Sequence, residues 1–186
     1  MSTHLALLRG INVGGKNMLP MKDLARLFVE AGCDGVATYI RSGNVLFDAP
    51  AAVADGLPAT ITARIAADFG HRTPVLLRTT DELRRVVASN PFLPQGVAAE
   101  TLHVYFLADL PDPARLSTLD PDRSPPDRFH VLGREVYLHL PNGMARTKLT
   151  NAYFDSKLAT VSTARNWRTA TTLLAMMEAR PKAPAG

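Results

Sequence analysis

Several things are scarce in this chain, and each scarcity excludes something. Cys33 is the single cysteine in 186 residues, so no internal disulfide can form, and a lone thiol suits a reducing compartment. It follows the exit of a predicted helix, where a half-buried structural thiol is the expectation. No apolar run approaches the ~20 residues of a spanning helix. The opening Met1-Ser2-Thr3-His4 lacks the charged head and long apolar stretch of a secretory signal. A cytoplasmic protein without membrane contact is therefore expected. Aromatic residues make up 6% of the chain, and most fall on strand or helix positions, leaving few to stack on nucleobases. No G-x-S-x-G, CxxC or paired-carboxylate arrangement occurs, so no local motif names a reaction. No internal repeat shows in the residues, with an echo of topology between the two halves left open.

What is present is an ordinary globular composition, 46% apolar with a net charge of +4, which leans toward an anionic partner. The excess sits late in the chain. Between 144 and 182 lie Arg146, Lys148, Lys157, Arg165, Arg168, Arg180 and Lys182 against only Asp155 and Glu178. Residues 4–9 read as a buried strand ending at Gly10. Leu24, Leu27, Phe28 and Ala31 mark a helix opened by Pro20 and closed by Gly32. Residues 36–40 and 44–48 are β-prone and joined by Arg41-Ser42-Gly43, an antiparallel hairpin. Leu57, Ile61, Ile65 and Phe69 mark a second helix, and 73–78 a fourth strand. This β-α-β-β-α-β order predicts a ferredoxin-like, split βαβ fold for the N-terminal half. Thr79-Thr80-Asp81-Glu82 matches a capping box. The run Asn90 to Gly96 then breaks the helix and is the expected boundary. Residues 1–90 are thus predicted as one subdomain and 91–180 as a second, smaller α+β subdomain. The second has a strand at 101–107, a hairpin at 128–140 and two closing helices, with 181–186 a frayed tail.

The loop Gly10-Ile-Asn-Val-Gly-Gly-Lys-Asn17 has two readings. Gly10, Gly14 and Gly15 either let amides approach an anion beside Lys16, or simply turn the chain sharply. The same loop nearly spells a nucleotide-binding P-loop, but Asn17 stands where a Ser or Thr should hold magnesium, and the hairpin implies an antiparallel sheet. In a split βαβ sheet, the end of the first strand, the hairpin turn and the start of the fourth strand share one edge. That would gather Arg9, Asn12, Lys16, Arg41, Ser42, Asn44 and Arg72, either as a ligand site or as solvated charge. A second polar group comprises Arg146-Thr-Lys-Leu-Thr-Asn151, Lys157 and Thr163-Ala-Arg-Asn-Trp167. Thr163 is the predicted cap of the last helix. Lys148, Asn151, Lys157, Arg165 and Asn166 are the predicted ligand residues of that group. His103, His130 and His139 lack zinc-ligand spacing, so no metal or cofactor is expected.

Taken together, Leu7-Leu-Arg-Gly-Ile-Asn-Val-Gly-Gly-Lys16, Leu19-Pro-Met21, Leu24, Thr38-Tyr-Ile-Arg-Ser-Gly-Asn-Val45 with Phe47, Lys148, Asn151, Lys157 and Thr163-Ala-Arg-Asn-Trp167 resemble the bacterial domain of unknown function 1697 family. Arg41 departs from that pattern, since similar chains often carry Gln there. The resemblance implies a two-part α+β protein with a ferredoxin-like N-terminal half, and no activity. The function expected from the residues is binding of a phosphorylated or other anionic small molecule at a basic site between the subdomains. Three alternatives stand beside it: an enzyme acting on a phosphorylated substrate, with Asp155 as a guess for the acid or base; a nucleic-acid module, which is less favoured; and polar motifs with a purely structural role. Oligomeric state is left open.

Overall fold

The structure, a computed structural model, describes residues 1–181. The frayed tail expected over 181–186 lies, from 182 onward, outside them. Two compact units divide the chain: Met1–Arg84 with the segment from Leu173 onward, and Arg85–Thr172. The fold is α+β. Among the described residues there are two four-stranded sheets, antiparallel throughout.

The first unit is built from β1 (Ser2–Leu8), α1 (Met21–Glu30), β2 (Asp34–Tyr39), β3 (Asn44–Ala49), α2 (Ala51–Phe69) and β4 (Val75–Thr79). Its strand order is β2-β3-β1-β4, the ferredoxin-like arrangement expected from the element order. The apolar run of β1 is buried from His4 to Leu8, on both faces of the sheet. One face carries Ala6, Leu8, Val45 and Phe47. These pack with Leu24, Leu27 and Phe28 of α1 and Leu57, Ile61 and Ile65 of α2. Each such side chain contributes roughly 1.5–3 kcal/mol when fully buried. Helix α2 begins well before Leu57, with Pro58 inside it. Proline removes one backbone donor, yet the buried Ala54 and Leu57 on the core side hold the first turns in place. Gly70, at a φ of 73°, ends the helix in the left-handed region.

From β4 the chain enters α3 (Thr80–Ala88) through the predicted capping box. The Glu82 amide donates to Thr79 Oγ1 at 3.2 Å, and the Thr79 amide donates to Glu82 Oε2 at 2.8 Å. The second unit follows with β5 (Leu102–Leu107), α4 (Pro113–Leu116), β6 (Arg128–Leu132), β7 (Glu135–His139), α5 (Asn151–Leu158), β8 (Ser162–Asn166) and the first part of α6 (Trp167–Glu178), whose residues from Leu173 belong to the first unit. Its strand order, β6-β7-β5-β8, repeats that of the first unit position for position. Tyr105, Leu107, Val136, Leu138, Leu149 and Phe154 form its core. Strand β8 separates the two closing helices, and Thr163 lies within it. The predicted cap is therefore corrected: Asn166 Oδ1 accepts from the Thr169 amide at 2.8 Å, because the strand runs on to Asn166 before α6 starts. No described helix is long and apolar enough to cross a membrane.

Candidate functional site

In the first unit, β1 ends between two neighbours. The Leu8 amide donates to Gly43 O at 2.8 Å and the Arg9 amide to Pro74 O at 3.1 Å. The β1–α1 loop, the β2–β3 turn and the start of β4 thus share one end of the sheet. The loop itself folds into a miniature hairpin. Val13 and Lys16 form a bridge, closed by the Lys16 amide on Val13 O at 3.0 Å. Between them Gly14 and Gly15 sit at φ of 57° and 74°, the positive pair that a two-residue hairpin turn of primed type needs. The amides of Gly14 and Gly15 make no hydrogen bond to any described residue. The P-loop resemblance ends here, because α1 opens only at Met21 and the sheet is antiparallel.

Asn12 fastens this hairpin down. The Leu19 amide donates to its Oδ1 at 2.8 Å, and its Nδ2 donates to Leu19 O at 2.9 Å and to Arg41 O at 3.0 Å. Asn17 adds a bond from Nδ2 to Gly10 O at 3.0 Å. Asn44 is completely buried and donates to Tyr39 O at 3.1 Å and Ser42 Oγ at 3.0 Å. Lys16 and Arg41 are exposed and their side chains have no partner among the described residues, while Arg9 is half-buried. Arg72 is exposed near the start of β4. Ile40 sits between β2 and the turn at a φ of 48° while half exposed. A β-branched residue rarely adopts that conformation, and it costs on the order of 1–3 kcal/mol.

The polar residues of the second unit are largely occupied within it. Asn151 Nδ2 donates to Ser162 Oγ at 2.8 Å, and that hydroxyl donates to Asp155 Oδ1 at 2.7 Å. The relay ties α5 to β8, so Asp155 serves as its acceptor. Arg165 is buried and donates to Thr163 Oγ1 at 2.9 Å and Ala164 O at 2.7 Å. Burial lowers its pKa to about 10, which leaves the guanidinium charged at neutral pH. Asn166 caps α6 as described. Lys148 and Lys157 are exposed, and the main chain of Lys148 is held by the Ser124 hydroxyl and Arg123. One residue escaped sequence reading altogether. Arg78 on β4 is buried at 1% exposure, and its only sequence signal is an arginine inside an apolar strand.

Cys33 is more deeply buried than expected, and desolvation pushes its thiol up to about 11. It is inert at neutral pH. Among the described residues no group of three His, Cys, Asp or Glu side chains could hold a metal ion. One cavity in the first unit, ≈ 590 Å³, is lined by Thr3, Asp81, Arg84, Glu178 and Arg180 among others. Its charged side chains are already paired, Arg84 with Asp81 and Glu178, and Arg180 with Asp48. The second unit has a cavity of ≈ 410 Å³ beside Arg128.

Two ferredoxin-like units in tandem, the first with a clasped glycine hairpin at its sheet end, define a class of duplicated α+β proteins by fold. Among known families, the model described as "Protein of unknown function (DUF1697)" matches residues 1–137, and the chain belongs to that family. The match ends in β7, so Lys148, Asn151, Lys157 and the Arg165-Asn166 pair lie beyond it. The chain is similar in structure to the conserved bacterial protein SP0830 from Streptococcus pneumoniae, with a TM-score of 0.68 and 20% sequence identity over 95% of this chain and 98% of that one. At that identity the likeness bears on fold. No curated protein matches the chain.

Proposed function

We propose that the protein binds a phosphorylated or otherwise anionic small molecule at the tip of the β1–α1 hairpin. The observation carrying this reading is the unpaired pair of amides at Gly14 and Gly15 beside the unpaired Lys16 ammonium. Adjacent unpaired amides in a turn can receive an anion, and a lysine beside them supplies a point charge. Asn12 holds the loop in place before any ligand arrives, which lowers the ordering cost of binding. Arg41 extends the positive rim, and Ser42 adds a hydroxyl. Asn12 and Asn44 contribute by fastening backbone, and Arg9 by charge from a half-buried position. In the second unit, Lys148 and Lys157 are the exposed members of the proposed anion-binding set, while Asn151, Arg165 and Asn166 are engaged internally.

The test is a thermal-shift screen of the full chain with nucleotides, sugar phosphates and short oligonucleotides. A small phosphorylated ligand should raise Tm, and Lys16→Ala should abolish that rise while leaving the unliganded Tm within a degree or two. Stabilisation confined to oligonucleotides would replace this reading with nucleic-acid binding. Turnover of a bound phosphate ester would make the protein an enzyme. No stabilisation by any of the three classes would leave the hairpin as a purely structural device.

A further inference from the structure

A second site stands out in the second unit, on residues unconnected with the glycine hairpin. Arg128 opens the edge strand β6, and its guanidinium is fixed from three directions. It lies over the Phe92 ring at 5.2 Å from the centroid. One terminal nitrogen donates to Gln95 Oε1 at 2.9 Å, and the other meets His139 Nδ1 at 3.2 Å. Each of these supports is itself held. Gln95 donates to Pro91 O at 2.9 Å, the Phe92 amide donates to Asn90 Oδ1 at 3.0 Å, and the Phe92 and His139 rings lie 5.9 Å apart. The remaining guanidinium N–H groups have no partner among the described residues. Arg128 lines a cavity of ≈ 410 Å³ whose wall also includes Pro91, Phe92, Asp122 and His130.

We propose that this cavity binds a small carboxylate bearing a flat ring. A planar guanidinium with spare N–H groups suits the two oxygens of a carboxylate, which it can grip with paired bonds. Pro91 and the small part of Phe92 left uncovered provide an apolar wall against which the ring rests. His130, two residues from Arg128 on the same strand, lies on the same face and adds a hydrogen-bonding imidazole at the rim. The carboxylate of Asp122 in the wall selects by charge: it tolerates one negative charge held by Arg128 and repels a phosphate dianion. The volume lies in the lower part of the range of ~300–1,000 Å³ found for small-ligand pockets, room for a fused two-ring acid.

The experiment titrates the full chain with 2-naphthoate, followed by heteronuclear NMR, alongside 2-naphthamide and 2-naphthyl phosphate. Expected are shifts confined to residues around 91–95 and 128–130, with the amide and the phosphate each binding at least about tenfold more weakly. Arg128→Gln should weaken 2-naphthoate binding by about tenfold or more, and Arg128→Lys by a smaller factor, with both variants melting as the parent chain does. Lys16→Ala should leave the affinity unchanged, which separates this site from the one on the hairpin. Equal binding of acid and amide, unchanged affinity in Arg128→Gln, or shifts centred on Gly14 and Gly15 would overturn the proposal.

Discussion

The two units share a strand order yet solve the same connections with different chemistry. In each, the first strand pairs with the third and fourth, and the fourth runs through a polar cap into a helix. Leu5 of β1 stands opposite Arg78, and Val104 of β5 stands opposite Arg165, so a buried arginine falls one residue before the cap in both. The connections after the first strand then diverge. In the first unit it is a glycine hairpin leading into the ten-residue amphipathic α1. In the second it is a proline-rich stretch broken by α4, four residues long. Glycine permits a loop that closes on itself through left-handed residues. Proline gives a stiff, extended path with fewer amides to offer. The first proposed site lies on this connection, whereas the second meets it only through Pro121 and Asp122 in its wall.

The sharpest way to break the comparison is at the hairpin turns. A methyl group on Gly43 would lie 2.7 Å from Leu8 Cβ and 3.0 Å from Ile11 Cδ1, at a φ of 81°. On Gly133 it would meet nothing nearer than Glu135 Oε2 at 3.7 Å, at a φ of 60°. Gly43→Ala should cost about 3 kcal/mol or more, combining backbone strain with overpacking, and Gly133→Ala about 1–2 kcal/mol from strain alone. Urea unfolding of both variants measures the gap, and equal losses would show that the turns are equivalent after all.

Asn12→Ala comes next. It removes both bonds to Leu19 and the bond to Arg41 and leaves an alanine at a φ of 55°. A loss of about 2 kcal/mol is expected, with faster amide exchange at 13–18 and unchanged exchange in the second unit. The smallest effects belong to the matched caps. Thr79→Ala and Asn166→Ala should each cost about 1 kcal/mol in the same denaturant series. Thr79→Ala should be the larger loss, because Glu82 answers its cap reciprocally and Asn166 has no such partner in the three-residue frame that follows it.

Most of the first unit was legible in the residues because its periodicities are local. Leu24, Leu27 and Phe28 recur at helical spacing, the turn glycine sits between two β-prone runs, and Thr79 with Glu82 spells its own cap. In the second unit, β8 went unread because Ser162 to Asn166 has little apolar character. It is a strand by virtue of its pairing with β5, not of its own propensity. The same limit governed the candidate site. Gly14, Gly15 and Lys16 could be singled out from the loop's composition. That Asn12, Asn44, Asn151 and Asn166 act as fasteners could not, since an amide side chain serves a ligand or a backbone equally well until its neighbours are known.

By itself, then, the order of residues determined the element types of the first half, their ferredoxin-like order and the positive balance of charge. These depend on spacing and composition, which a linear chain states outright. Only tertiary structure decided that the second half repeats the first, that the glycine loop closes as a clasped hairpin, and that Arg128 rests on Phe92 beside a cavity. Those outcomes rest on hydrogen bonds and packing between segments distant in the chain. Their energies exist only once the backbone has brought the groups within a few ångströms of each other.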